Sequence, residues 1–183
     1  MSYTPTIFTL TQRDRELLAL LSLNGRMGLT ELADRMRCSK QAVAYHLDKL
    51  QREGIIESFY AVTNVYRLGI THYRVFLKLQ QITPQEEASL YAFLTAQPSV
   101  SWVLTLDGDY DLFFVVWSRN ILDFQHTFDQ IMAGYGRFFL QKTFSIATQI
   151  EYLPYRFLSD TPPSTPTRSL VFGSVHHTPD LSE

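Results

Sequence analysis

Residues 29–54 have the sequence LTELADRMRCSKQAVAYHLDKLQREG, and this segment determines the architecture of the first part of the chain. Two runs of apolar residues at helical spacing are separated there by a short turn. We predict one helix over residues 30–36 with Thr30 as its N-cap, and another over residues 40–53 with Ser39 as its N-cap. Two helices joined by such a turn form a helix-turn-helix motif.

The second of these helices has two chemically different faces. Val43, Leu47 and Leu50 recur at i, i+4 and i+7 and are predicted to face the core. The opposite face begins with hydrogen-bonding side chains and a small residue, which a helix needs where it enters the major groove of DNA. This outer face consists of Lys40, Gln41, Ala44, Tyr45, Asp48, Gln51 and Arg52.

A helix predicted over residues 11–23 completes a three-helix region, and a strand is predicted to follow it. Residues 55–62, IIESFYAV, are mostly β-branched or aromatic, which indicates a short wing strand. One interpretation is therefore a winged helix-turn-helix that binds DNA. The other is a structural bundle whose polar face is only solvated. The outer face of the last helix favours DNA binding.

The middle of the chain predicts a second domain with the element order β-α-β-β-α-β. Thr83, followed by proline and by glutamate at the capping-box spacing, begins its first helix. The sequence DGD at 107–109 is a hairpin turn, and Asn120 or Ser118 begins the second helix. This order is the split βαβ arrangement of ferredoxin-like folds. The predicted strands span residues 72–80, 100–106, 110–117 and 138–152.

The third strand of this domain is apolar on both faces, because residues 112–117 are LFFVVW. A strand with two apolar faces is buried on both sides. The two predicted helices cover one side of the sheet only. We therefore predict that a second copy of the chain covers the other side, and that the protein is an obligate dimer.

Composition and charge restrict the class of protein. The 183 residues are 45% hydrophobic and 19% charged, as in globular proteins. The formal net charge is −2, but residues 1–60 carry eight Lys/Arg against seven Asp/Glu, so the acidity lies mainly in the later part. No apolar run approaches the roughly 20 residues that span a bilayer, and residues 1–6 lack a signal-peptide pattern. We expect a soluble, cytoplasmic protein with no membrane partner.

No sequence pattern carries catalytic or metal chemistry. Asp107, Asp109 and Asp111 are spaced as in a calcium loop, but the glycine stands at the second position instead of the sixth. The five histidines lack metal-ligand spacing, and His46 is interpreted as a semi-buried, hydrogen-bonded residue. The single Cys38 excludes an internal disulfide and is either an inert turn residue or a redox switch with basic neighbours. We expect no enzyme activity, no cofactor and no metal.

Taken in order, these motifs resemble the Lrp/AsnC family, the feast/famine regulators of transcription. The resemblance covers about residues 11–156, and the order and spacing of its segments make it specific although each segment alone is weak. The segments are LTQRDRELL (10–18), NGR (24–26), LTELA (29–33), SKQAV (39–43), GII (54–56) and GDYD (108–111).

The resemblance implies an α+β fold with an N-terminal winged helix-turn-helix and a βαββαβ ferredoxin-like domain of the ACT or RAM type. The implied divisions are a DNA-binding domain (1–62), a linker (63–71), an effector-sensing and oligomerisation domain (72–158) and a Pro/Ser/Thr-rich tail (159–183). It also implies dimers, often assembled into tetramers or octamers, that bind double-stranded DNA. The residues expected to face DNA are Ser39, Lys40, Gln41, Ala44, Tyr45 and Arg52.

The resemblance further implies a small-molecule effector, usually an amino acid, near the GDYD turn at contacts between dimers. Arg137 is interpreted either as a carboxylate clamp for this effector or as a solvated turn residue. Asp107 departs from the family pattern, because an extra carboxylate there could repel the carboxylate of an amino acid. The residues expected to line the effector region are Gly108, Asp109, Tyr110 and Asp111, with Arg137.

Two other functions stay open at this point. A nucleoid-type architectural protein shares the fold but has little sequence specificity for DNA. A metabolite-sensing regulatory subunit would use its front domain to bind protein instead of DNA. In the tail, residues 161–167 form a Pro/Ser/Thr linker, and residues 168–173 could add to a sheet as an edge strand. We interpret this tail as a flexible arm that swaps onto a neighbouring subunit.

Overall fold

A computed structural model of the chain describes residues 8–158 and 170–173, and these residues form two compact units. The first unit holds residues 8–62 with 151–158 and 170, and the second holds residues 63–150 with 171–173. The sequence had placed residues 151–158 in the second domain. They cluster with the first unit because their backbone and side chains pack there, and the Tyr155 N–H donates to Ser22 Oγ at 3.2 Å.

The first unit contains the predicted helix-turn-helix. Thr11 caps the first helix in a capping box with Asp14, and Ser39 Oγ accepts the Ala42 N–H at 3.1 Å at the start of the third. The predicted Thr30 cap is wrong, because the second helix begins one residue earlier and no side chain caps it. The helices are α1 (Gln12–Leu23), α2 (Leu29–Arg35) and α3 (Lys40–Arg52).

The core of the first unit joins all three helices. Val43 and Leu50 are fully buried, and Leu47 packs against them with partial exposure, as the helical spacing predicted. Packing of this kind supplies most of the stability of short helices in proteins. The other buried apolar residues of this core are Leu17, Leu32, Ala33 and Met36.

The predicted wing strand over residues 55–62 does not form in the structure. The Ile55 and Ile56 N–H groups both donate to the Leu50 carbonyl, so the chain turns tightly as it leaves α3. A strand needs a neighbouring strand for its backbone hydrogen bonds, and the described residues 8–62 contain none. The β-branched and aromatic composition of the segment is therefore not sufficient to produce the strand.

The second unit is an antiparallel four-stranded sheet with two helices, in the predicted β-α-β-β-α-β order. The strand order across the sheet is β2-β3-β1-β4. Its elements are β1 (Thr71–Leu79), α4 (Pro84–Thr95), β2 (Val100–Thr105), β3 (Leu112–Ser118), α5 (Ile121–Tyr135) and β4 (Phe139–Ala147). The capping box of Thr83 with Glu86 and the N-cap Asn120 begin the two helices as predicted.

Three connections differ from the predicted boundaries. The linker contains a short 3-10 helix, Val65–Leu68. The predicted strand over 138–152 is interrupted, and β5 (Ile150–Tyr152) pairs with β6 (Leu170–Phe172) in a separate two-stranded sheet. The segment expected to add as an edge strand thus pairs with β5 and not with the four-stranded sheet. The Pro/Ser/Thr linker (161–167) lies outside the described residues.

The two sides of the four-stranded sheet differ in what covers them. On one side α4 and α5 pack against Val75, Leu77, Phe114 and Val116, which are almost fully buried. The other side, which we call the open face, has no helix over it among the described residues. Its apolar part is formed by Trp102, Leu104, Phe113, Val115 and Trp117. Trp102 on this face is 58% exposed.

Candidate DNA-binding and effector sites

The outer side of α3 carries the residues predicted to face DNA. Lys40 and Gln41 are exposed in the first turn of the helix, and the Tyr45 side chain one turn later is 61% exposed. Ala44 lies between them with partial exposure and leaves room for close approach. The Ser39 hydroxyl caps the helix by accepting the Ala42 N–H. These five residues are therefore contiguous at the N-terminal half of α3.

Arg52 lies at the opposite end of this helix. Its Nε donates to Asp48 Oδ2 at 2.9 Å, one turn earlier on the same exposed side. This exposed i,i+4 pair places a carboxylate beside the guanidinium group. A phosphate that contacts Arg52 would have to compete with Asp48.

A buried carboxylate holds α3 against α1. Asp14 has no solvent exposure, and its Oδ1 lies 2.7 Å from His46 Nδ1. Its Oδ2 accepts from Lys49 Nζ at 3.0 Å and from the Thr11 N–H at 2.9 Å. His46 is thus semi-buried and hydrogen-bonded, as predicted. Because His46 and Lys49 lie on the same helix as Tyr45, the Asp14 cluster constrains the rotation of α3 about its axis.

The ionisation of Asp14 is set by two opposing effects. Burial by itself raises the pKa of this carboxyl, but hydrogen bonds from Thr11, His46 and Lys49 outweigh burial and hold the pKa well below its ordinary value. Asp14 is therefore charged at neutral pH. The sequence contained a local signal for it, an acidic residue three positions after Thr11, but no signal for its partners 32 and 35 residues away.

The GDYD turn is anchored to the end of β1 by its second aspartate. Asp111 Oδ2 accepts the Leu79 N–H at 2.7 Å, and Oδ1 pairs with Lys78 Nζ at 2.8 Å. Burial by itself raises the pKa of Asp111, but the hydrogen bonds from Lys78 and from the Leu79 N–H outweigh burial. The pKa of this carboxyl is therefore below its ordinary value. Gly108, with φ of +149°, also accepts from Lys78 at 3.1 Å. Asp111 thus serves to position the turn.

The other two turn residues face different surroundings. Tyr110 places its hydroxyl 2.7 Å from Thr143 Oγ1 and accepts from Gln141 Nε2 at 3.3 Å, and its ring lies beside Phe76. Asp109 is exposed. Tyr110 is thus the turn residue whose side chain joins β1 and β4.

Arg137 lies in a 3-10 helix, Gly136–Phe138. Its guanidinium carbon lies over the Phe138 ring, 4.5 Å from the ring centroid. Its Nη2 is 3.4 Å from Glu86 Oε1 at the start of α4. Just after β1, the Gln80 N–H donates to the Phe138 carbonyl at 2.8 Å. Arg137 and the turn therefore flank the same end of β1, although no hydrogen bond or ion pair among the described residues joins them.

Neither membrane nor metal features are found in the part of the chain that the structure describes. No helix there is long and apolar enough to cross a bilayer. No group of three or more His, Cys, Asp or Glu side chains gathers there as it would around a metal ion.

Sequence comparison identifies relatives of the chain. A family model described as a winged helix-turn-helix DNA-binding domain matches residues 10–57. The HTH-type transcriptional regulator LysM of Saccharolobus solfataricus is 30% identical over 129 residues, which cover 68% of this chain and 85% of that protein. The matched region therefore extends well beyond the helix-turn-helix.

Two solved structures share the fold. One is a transcriptional regulator of Neisseria meningitidis in complex with L-Met, with a TM-score of 0.70 and 19% identity over 82% of this chain and 100% of that chain. The other is AsnC of E. coli, with a TM-score of 0.65 and 21% identity over 76% of this chain and 93% of that chain. At these identities the likeness establishes the fold alone.

Proposed function

The chain belongs to the Lrp/AsnC family of transcriptional regulators, and from this premise we propose that it reads a specific operator as a homo-oligomer under the control of a small effector. The observation that carries the proposal is the exposed N-terminal half of α3, held in place by the buried Asp14 cluster. A rigid helix that presents polar side chains at its N-terminus is the element that such motifs insert into the major groove.

Roles can be proposed for the individual residues of this surface. Lys40 contacts a phosphate or a guanine edge, Gln41 reads a base edge, and Tyr45 contacts the backbone or a base from the next turn. Ala44 permits close approach. Ser39 and the first amides of α3 lie where a phosphate is favoured. Arg52 contributes less, because Asp48 competes for it.

The open face supports the proposal of a homo-oligomer. Contiguous apolar surface on a soluble protein marks an interaction site, and Val115 at its centre is already almost fully buried. A second copy that covers Trp102, Leu104 and Trp117 would remove these side chains from water. A dimer would also place two copies of α3 on one DNA duplex. A single chain with a net charge of −2 is expected to have low affinity for DNA, and binding through two copies would raise this affinity.

The GDYD turn and Arg137 support the proposal of an effector near the end of β1. The Neisseria meningitidis relative was solved with L-Met, and an amino acid of this kind is the effector class we propose here. Tyr110 and Asp109 are the turn residues we expect to contact it, while Asp111 positions the turn. Arg137 already faces the Glu86 carboxylate and would have to exchange that partner for the effector.

The test uses a duplex selected from a random-sequence pool by the wild-type protein, with a scrambled duplex of equal length. We expect Lys40→Ala and Tyr45→Ala to weaken binding to the selected duplex about tenfold or more while the oligomer stays intact. Lys142→Ala, an exposed lysine on β4, is the matched control and should bind normally. Unchanged affinity and salt dependence in both variants would show that α3 does not face DNA.

The same measurement separates the two alternative functions. Equal affinity of the wild-type protein for selected and scrambled duplexes at fixed salt would favour an architectural protein. Absence of any DNA binding at low salt would favour a regulatory subunit that binds protein.

A further inference from the structure

An arginine in the turn between α2 and α3 adopts a backbone conformation that side chains disfavour. Arg37 has a φ of +49°, in the left-handed region that glycine enters without a steric cost. The surrounding hydrogen bonds impose this φ. The Cys38 N–H donates to the Ala33 carbonyl at 3.0 Å, and the Arg37 N–H donates to the Asp34 carbonyl at 3.3 Å. These two bonds form a Schellman motif, in which the left-handed residue is usually glycine.

Contacts within the turn do not account for an arginine at this position. Arg37 is exposed, and its guanidinium group makes no hydrogen bond or ion pair with any residue that the structure describes. Arg35, also exposed and two residues earlier, instead donates from Nη2 to Glu31 Oε1 at 2.9 Å. Residues held in sparsely populated backbone conformations cluster at functional sites. The strained backbone and the free side chain together indicate that Arg37 has a function outside the turn.

The turn fixes Arg37 beside the surface that we propose faces DNA. Met36 is buried and Cys38 packs against the core of the first unit, so both neighbours of Arg37 are anchored. Ser39 caps α3 two residues later, and Lys40 is exposed in the first turn of that helix. In a helix-turn-helix the first helix crosses the DNA backbone while the second enters the major groove. A residue between the two helices is therefore close to the phosphates at the edge of the groove.

We propose that Arg37 binds a DNA phosphate at the edge of the groove that α3 enters. This proposal rests on the proposed function and adds to it a residue outside α3. A guanidinium group matches two phosphate oxygens with parallel hydrogen bonds. Because every nucleotide carries a phosphate, the contact supplies affinity and fixes the position of α3, but it carries no sequence information.

The first experiment measures affinity for the selected and the scrambled duplex over a range of salt concentrations. Arg37→Gln removes the charge and keeps most of the length of the side chain. We expect affinity for both duplexes to fall by about fivefold or more, with their ratio unchanged. The slope of log K against log salt concentration should become shallower by about one for each bound chain. Arg35→Gln removes the same charge from the paired arginine and is the matched control, which should bind nearly as the wild type does.

A second variant separates DNA binding from folding. Arg37→Gly relieves the left-handed strain, so its Tm in circular dichroism should be no lower than that of the wild type. Its affinity for both duplexes should nevertheless fall as far as that of Arg37→Gln. Wild-type affinity in Arg37→Gly would show that the side chain makes no contact with DNA and would overturn the proposal.

The possible failures are distinguishable. Wild-type affinity and salt slope in Arg37→Gln, or a loss no larger than that of Arg35→Gln, overturns the phosphate contact and leaves the proposed function standing. A loss with the selected duplex alone would make Arg37 a base contact and would also overturn the proposal. If the wild-type protein binds neither duplex at low salt, the proposed function fails and the phosphate contact fails with it.

Discussion

Replacing Asp14 by asparagine removes one charge from the first unit and keeps the size of the side chain. Asp14 offers two carboxylate oxygens to three donors, from Thr11, His46 and Lys49. An asparagine retains one oxygen acceptor and turns an NH₂ group toward a neighbour that is itself a donor. The Lys49 ammonium is then left without an anion in a site where its side chain is only 22% exposed.

The expected loss of stability follows from these burial values. Removal of one partner from a buried ion pair costs about 3–5 kcal/mol, because the other charge stays buried and unpaired. Lys49 retains some contact with water, so we expect a loss of about 3 kcal/mol for Asp14→Asn. For a unit of 60–100 residues this corresponds to a fall of about 12–24 °C in Tm.

Thermal unfolding followed by two probes tests this value. Far-UV circular dichroism follows all helices, whereas both tryptophans, Trp102 and Trp117, lie in the second unit. For Asp14→Asn we expect the part of the circular dichroism transition that comes from α1, α2 and α3 to move to lower temperature. The Tm followed by tryptophan fluorescence should stay unchanged. Glu31→Gln is the control, because it breaks an i,i+4 pair with Arg35 in which both side chains are 48% exposed. Such an exposed pair is worth about 0.5 kcal/mol or less. If Asp14→Asn costs no more than Glu31→Gln, the buried cluster does not stabilise the unit.

Three further predictions concern pH, assembly and the tail. Since the pKa of Asp14 is lowered by folding, its stabilising contribution is complete above the unfolded value of about 3.9 and is lost as the pH falls below it; acid unfolding of Asp14→Asn should lack this component. Leu104→Glu places a charge on the open face and should dissociate the oligomer, which light scattering measures as a lower mass. Leu122→Glu, at an exposed position of α5, should leave the mass unchanged. Equal masses for both variants would exclude the open face as the interface. Gly173→Ala should release β6, seen as faster amide hydrogen exchange, because Gly173 has a φ of +97° and an added Cβ would clash with the Thr148 carbonyl oxygen. Gly134→Ala, with open space around Gly134, should leave exchange in β6 unchanged.

Local signals in the sequence were sufficient wherever the deciding contacts lie within one helical turn. The caps Thr11, Ser39, Thr83 and Asn120 bond to amides three residues away, so the same short segments contain both partners. Apolar periodicity likewise predicted the βαββαβ order, because alternation along a strand follows from the backbone geometry. The second helix was the exception at this scale. Gly28 precedes it without a side-chain cap, and Thr30 was mistaken for one.

The remaining features depend on residues that are distant along the chain. Segment 55–62 has the composition of a strand but finds no strand beside it among the described residues, and residues 151–158 join the first unit through contacts such as that of Tyr155 with Ser22. Arg137 faces Glu86 from 51 positions away. Such pairs form only when the backbone has closed long loops and packed its core.

The surface that we propose faces DNA combines both kinds of information. Its side chains, from Ser39 to Tyr45, could be named from helical periodicity and capping alone. Its attachment to α1 depends on Asp14, whose carboxylate becomes the partner of His46 and Lys49 only after α1 packs against α3. Periodicity assigns a residue to a face, but the folded chain alone determines which distant group lies opposite that face, because burial and hydrogen bonding are properties of the assembled core.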